Sequence, residues 1–207
     1  LRGDQPYRVD RQTGEAIRLQ PPAVAGWNEQ GELESVQPEH LVETTAEIDQ
    51  AIPLPAEPEA AALPADGSAD LAQAVLAEYG ASRCPLMHVS SPLWVCYGLW
   101  GFEGLMTLVA ARPDLVEYAC RRQMAHVLRS IRRARVWGAR AIWIEECLTD
   151  MLSPNSFARL NLPYMRELVA EIRACGMLSI YYFCGNPAGK WEQLLAAGAD
   201  ALSLEES

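Results

Sequence analysis

The chain has 207 residues, with 17 Lys and Arg against 27 Asp and Glu, and a formal net charge of −10 at pH 7. Half of the residues are hydrophobic and 21% are charged, which fits a folded domain with a real core and excludes a disordered chain. This acidity argues against broad binding to nucleic acid or to anionic membranes, because phosphate contacts need a basic face.

No apolar run approaches the ~18 residues a membrane helix needs. No charged start followed by an apolar stretch marks a signal peptide, so no membrane partner and a cytoplasmic location are expected. The chain opens on Leu1 and closes on Ser207, directly after a strand pattern, and both ends are expected to be cuts. The six cysteines (84, 96, 120, 147, 175 and 184) are scattered without a C-x-x-C pair. That usage predicts reduced thiols rather than a disulfide frame, and the spacing excludes a zinc finger.

In chain order, residues 1–36 are polar and turn-rich. Two hairpins are expected, one from Tyr7-Arg8-Val9 to Ala16-Ile17 around Gly14 and one from Trp27 to Leu33 around Gln30-Gly31. Residues 38–51 predict a short helix, with Thr44 and Glu47 at capping-box spacing. The Pro- and Ala-rich stretch 52–67 predicts a linker or extended loop. The division expected from this is an N-terminal insertion with linker, 1–67, and a main body, 68–207.

A helix is expected over 68–80, with Gly80 as a left-handed stop. Strands are predicted at 85–90, 141–146, 178–183 and 201–205. Helices are predicted between them at 97–110, at 113–137 starting on Pro113-Asp114, at 156–175, and at 188–197. Strands alternating with helices imply an α/β fold with parallel pairing. Each strand runs into polar or reactive residues: Ser90-Ser91, Glu145-Glu146-Cys147, Cys184-Gly185-Asn186 and Glu205-Glu206. Ligands of parallel folds sit at that end. A barrel and an open sheet both fit, and the absence of G-x-G-x-x-G and of a Walker lysine lowers the nucleotide options.

Several spaced segments resemble one family. These are Gly138-Ala139-Arg140-Ala141-Ile142-Trp143-Ile144-Glu145-Glu146, Leu152-Ser153-Pro154, Phe157 to Pro163-Tyr164, Tyr182-Phe183-Cys184-Gly185-Asn186 and Gly198-Ala199-Asp200-Ala201-Leu202-Ser203. Together with Leu99-Trp100-Gly101-Phe102-Glu103-Gly104 and Arg112-Pro113-Asp114-Leu115-Val116, they resemble the uroporphyrinogen decarboxylase superfamily over about 85–207. The hairpin-rich start resembles an insertion of its corrinoid and coenzyme M methyltransferase-like branch. The resemblance implies a (βα)8 TIM barrel of the uroporphyrinogen decarboxylase and methionine synthase-like type, incomplete in this chain. The decarboxylases carry substrate-binding arginines near their start, a pattern that Arg2 and Arg8 do not match.

The resemblance also implies site residues. Cys184 is the metal candidate, because the methyltransferase-like branch holds zinc on a His-x-Cys-Gly segment here with a further late Cys; Tyr182 occupies the His position. A buried inert thiol is the alternative. Glu146 and Glu205 match acidic positions and are the catalytic candidates. Glu145 lies on the opposite strand face from Glu146 and is a substrate-binding candidate, with His88, Trp94, Trp100, Tyr182 and Asn186. Trp94, Tyr97, Trp100 and Phe102 could offer flat surfaces to a corrinoid or tetrapyrrole, or simply pack. His126 and His40 are expected to be structural and exposed, respectively. The arginines of 121–135 are expected to be a solvated face.

The leading expectation is methyl transfer from a corrinoid-type carrier to a thiol acceptor, with zinc at Cys184 and a corrinoid-protein or small-molecule partner. The alternatives are a cofactor-free decarboxylase of a tetrapyrrole acid, as in porphyrin biosynthesis, and a non-catalytic corrinoid-binding barrel. A homodimer is expected from the family habit. The test set by the sequence is whether Glu146, Cys184 and Glu205 reach a common rim.

Overall fold

The computed structural model of the chain describes residues 7–9, 13–18, 25–27, 33–35, 41–55, 67 and 69–205. Arg2, His40, the turn at Gln30-Gly31 and residues 56–66 of the Pro/Ala stretch lie outside them. β1 (Tyr7–Val9) and β2 (Ala16–Arg18) form an antiparallel hairpin with Val9 opposite Ala16. β3 (Ala25–Trp27) and β4 (Leu33–Ser35) form a second, with Trp27 opposite Leu33. α1 (Thr45–Ala51) starts on the expected capping box: Thr44 Oγ1 accepts from Glu47 N–H at 3.2 Å, and Glu47 accepts from Thr44 N–H at 3.0 Å. Ile48 and Ile52 of this segment enter the same core as the residues beyond 68.

α2 (Asp70–Tyr79) ends on Gly80, which is right-handed at φ −60° rather than the left-handed stop expected. The body then runs β5 (Leu86–Ser90), α3 (Pro92–Val95), α4 (Tyr97–Ala111), α5 (Pro113–Val136), β6 (Ala141–Glu146), α6 (Pro154–Leu160), α7 (Leu162–Ala174), β7 (Leu178–Phe183), α8 (Trp191–Ala196) and β8 (Ala201–Leu204). The four strands form one parallel sheet in the order β5-β6-β7-β8. Consecutive parallel neighbours joined by helices are the arrangement of a (βα)8 barrel segment.

The helix expected over 156–175 is two helices. Pro163 has no N–H to continue the ladder, and the chain breaks at Asn161, whose side chain turns inward instead. The core lies between the sheet and α5, α6 and α7. Ile131, Ile142, Ile144, Phe157, Leu168 and Phe183 are fully buried there, each contributing roughly 1.5–3 kcal/mol of transfer free energy.

Register assigns every strand side chain to one of two faces. His88 lies beside Trp143, Ser90 beside Glu145, Glu145 beside Tyr182, and Tyr182 beside Ser203. These residues share the open face, where Leu86 is 48% and Leu178 56% exposed. Val89, Ile142, Ile144, Glu146, Tyr181 and Phe183 alternate onto the opposite, helix-covered face and are buried.

Candidate functional site

The site grows from the carboxyl ends of the four strands. Glu145 leaves β6 on the open face, and its Oε2 collects three contacts: His88 Nε2 at 3.0 Å, the Ser90 hydroxyl at 3.4 Å and the Trp94 indole N–H at 3.0 Å. His88 and Ser90 arrive from β5 by the period of two. Trp94 arrives because Ser91 caps α3, its Oγ accepting from Trp94 N–H, with Pro92 in the first turn.

A second carboxylate stands two strands away. Glu205 follows β8 and accepts from the Tyr182 hydroxyl at 2.8 Å, the Cys184 thiol at 3.2 Å and the Gly185 N–H at 3.1 Å. The Tyr182 hydroxyl leads these three donors in holding the Glu205 carboxyl below its ordinary range. Burial, followed by the hydrogen bond to Glu205, pushes the Cys184 thiol up. Trp143 packs against Tyr182 with ring centroids 5.2 Å apart. Cys147, two residues beyond Glu145, sits between the two clusters; burial and the neighbouring Cys184 thiol push its own thiol upward. The strip therefore runs without a break from His88 to Glu205.

The loops that carry these groups are tied together. Leu148 is left-handed at φ 59°, and its carbonyl accepts from the Tyr97 hydroxyl at 2.7 Å. Gly185 has φ 100°, and a Cβ there would stand 2.5 Å from Asp150 Cγ. Only glycine combines that backbone with that approach. Lys190 Nζ donates to the Asp150 carbonyl at 2.7 Å, joining the loop after β6 to the loop after β7.

The expected common rim holds for Cys184 and Glu205 and fails for Glu146. Glu146 is fully buried on the helix-covered face. Asn161 Nδ2 donates to its Oε2, and Asn161 Oδ1 accepts from the Tyr181 hydroxyl at 3.0 Å. Burial raises the Glu146 carboxyl to about 8. Its Oε1 and the buried Thr149 Oγ1 make no well-formed hydrogen bond, although the Ser91 and Thr149 hydroxyls lie beside the carboxyl and favour its charged form. A neutral carboxyl group would bring a proton to donate at Oε1.

Trp100 also stands apart from the strip. It is fully buried, and its indole donates to Val42 O at 2.7 Å, fastening α4 to the segment before α1. Asn186 is exposed on the loop after β7, where its N–H faces Asp150 Oδ2 at 3.4 Å and its Oδ1 accepts from Ala188 N–H at 2.9 Å. His126 binds the Pro53 carbonyl at 2.7 Å through Nε2, the structural use expected of it. Arginines of α5 pair with acidic residues of neighbouring helices, Arg121 with Glu167 and Arg132 with Glu171, both at 2.7 Å. Ser90 and Cys147, already among the polar strand ends of the sequence, belong to the strip, and Trp143 joins them; parity places all three, each two residues from Glu145 or His88.

The fit of the expected cofactors was set by these side chains. Among the described residues no group of three or more His, Cys, Asp and Glu is arranged to hold a metal ion. With a phenol at 182, the residues present do not form the zinc site of the resemblance. The expected corrinoid surface is not an open platform either: Tyr97 stacks on Phe102 at 6.1 Å, Trp94 is held by Glu145, and Trp100 is in the core.

A family model described as Uroporphyrinogen decarboxylase (URO-D) matches residues 36–207. The chain is similar to a protein of Burkholderia thailandensis named uroporphyrinogen decarboxylase, being 26% identical to it over 152 residues. The match covers 68% of this chain and 41% of that protein, so the chain spans less than half the length of this relative.

Proposed function

The chain belongs to the uroporphyrinogen decarboxylase family, and on that premise we propose that its rim takes part in methyl transfer to a thiol acceptor held beside Glu205. The observation that carries this reading is the character of the rim: two carboxylates and two thiols, Glu145, Glu205, Cys147 and Cys184, with the Cys184 thiol donating to Glu205. A neutral thiol needs a soft, anionic neighbourhood that accepts its proton.

Glu205 supplies that acceptor. An acceptor thiol lodged where the Cys184 S–H now donates, at 3.2 Å, points its proton at an ionised carboxylate. A free thiol is less acidic than a carboxylic acid by roughly 4 pKa units, so no thiolate accumulates there. As the new S–C bond forms, the methyl–carrier bond breaks and its electron pair stays with the carrier, while positive charge builds on sulfur and makes its proton far more acidic, so Glu205 suffices as base within that step. Glu145, loaded by His88, Ser90 and Trp94, fixes the polar wall opposite. The methyl donor is a carrier presented to the open face, and a corrinoid protein is the partner of that chemistry.

The second reading is decarboxylation without a cofactor, favoured by the name of the similar Burkholderia protein. In it, Glu145 accepts pyrrole N–H groups as it accepts the Trp94 indole N–H here. The two are separated on the full-length protein. Methylcobalamin with 2-mercaptoethanesulfonate is expected to give the S-methyl thioether by mass spectrometry, with loss of product in Glu205→Gln. Loss of carboxyl groups from uroporphyrinogen, with no thioether formed, would replace the first reading by the second.

A further inference from the structure

Cys147 and Cys184 have a relation that neither reading uses. The last register pair of β6 and β7 is Glu146 beside Phe183, and the ladder continues one step, with Cys184 N–H donating to Glu146 O at 2.8 Å. Cys147 and Cys184 are therefore the next lateral neighbours. Adjacent strands lie about 4.8 Å apart, which falls inside the roughly 4.4–6.8 Å that a disulfide requires between Cα atoms. Both side chains take the open face, two residues beyond Glu145 and Tyr182, and the thiols are close enough to interact electrostatically.

The surroundings hold the pair in place. Each cysteine is followed by a left-handed residue, Leu148 at φ 59° and Gly185 at φ 100°. The two loops are joined through Asp150 by Lys190 and Asn186. Both cysteines are partly exposed, whereas the other close pair, Cys96 and Cys120 with sulfurs 3.8 Å apart, is fully buried. Solvent-borne reagents reach the first pair and not the second.

We infer that Cys147 and Cys184 form a reversible dithiol–disulfide site across the rim, oxidised by a low-molecular-weight disulfide. Cys184 attacks the reagent disulfide as its proton passes to Glu205, forming a mixed disulfide and expelling one thiolate. The second cysteine attacks the mixed sulfur, closes the Cys147–Cys184 bond and expels the other. Two protein thiols and one reagent disulfide become one protein disulfide and two reagent thiols. The bridge also takes the Cys184 proton away from Glu205, closing the place where an acceptor thiol would lodge.

The test is chemical, so it is independent of which reaction the rim performs. The reduced full-length protein is incubated with oxidised glutathione, alkylated and digested, and its peptides are mapped. The expected result is loss of the Cys147 and Cys184 thiols to alkylation, a peptide joining the two, and full recovery with dithiothreitol, with any glutathione on the exposed Cys84 mapped as a separate peptide. Cys147→Ser and Cys184→Ser are each expected to trap a glutathione on the remaining cysteine of the pair. Free alkylation of both cysteines, glutathione on both without a bridge, or a bridge confined to another pair would overturn the inference. The wild-type peptide map separates these outcomes even where a variant fails to fold.

Discussion

Glu146 offers the sharpest test of how the fold is built. Its carboxyl titrates near 8 in the folded chain against 4.5 in the open chain, because burial disfavours the charge more than its hydrogen bonds restore it. Below pH 4.5 both states carry the proton and the shift costs nothing. Between 4.5 and about 8 the unfolded chain releases the proton and the native state keeps it, so stability falls as pH rises. At about 1.4 kcal/mol per unit, the cost is roughly 3 kcal/mol at neutral pH and approaches roughly 5 kcal/mol once the pH passes the folded value. Glu146→Gln keeps the shape and the oxygen that accepts from Asn161, and it places an amide N–H beside the Thr149 hydroxyl, which can accept it. Urea unfolding of both proteins at pH 5, 7 and 8.5 measures the difference. The variant is expected to match the wild type within about 1 kcal/mol at the acid end and to gain steadily above it. A stability difference that stays flat across this range would refute the assignment of Glu146 to a neutral, buried role.

Other consequences follow from the same geometry. Gly185→Ala sets a Cβ against Asp150 Cγ on a left-handed backbone and is expected to cost at least ~2–4 kcal/mol in thermal unfolding. Gly176→Ala, left-handed at φ +71° with nothing near its Cβ, is expected to cost only about 1–2 kcal/mol; equal losses at the two sites would remove the steric argument. Glu145→Ala strips the acceptor from His88, Ser90 and Trp94. It is expected to lower turnover by about tenfold or more while shifting Trp94 fluorescence toward the red and leaving the melting temperature within a few degrees. Tyr182→Phe removes the strongest donor to Glu205, so the acid limb of the pH–rate profile is expected to move to higher pH. A limb that stays put would detach Glu205 from the reaction.

Much of the fold is legible in the pattern. The apolar runs at 141–146 and 178–183 match β6 and β7 residue for residue, since both strands are flanked by glycine stops and polar ends. The break near Asn161 has a signal in Pro163, which cannot continue the ladder, yet the helical periodicity runs through it, and the place of the turn rests on the inward use of the Asn161 side chain. Trp100 stays open between a ligand surface and packing in the sequence, because aromatic residues near a strand end look alike there. The decisive contact is a backbone carbonyl 58 residues away, at Val42.

The adjacent glutamates show where pattern stops and register begins. Alternation says that Glu145 and Glu146 face opposite ways, but not which way is in. On a strand such as Ala141-Ile142-Trp143-Ile144, both faces are apolar, so neither parity stands out as the covered one. The answer lies in the neighbours: Ile142 and Ile144 meet the helix layer, which takes Glu146 with them, while Trp143 meets Tyr182. That same step carries Cys147 to Cys184. A carboxyl group one residue along the chain thus changes from a half-buried group with three polar partners to a fully buried one that holds its proton to about pH 8. The chemistry of the rim is decided by the pairing of strands, which no single strand contains.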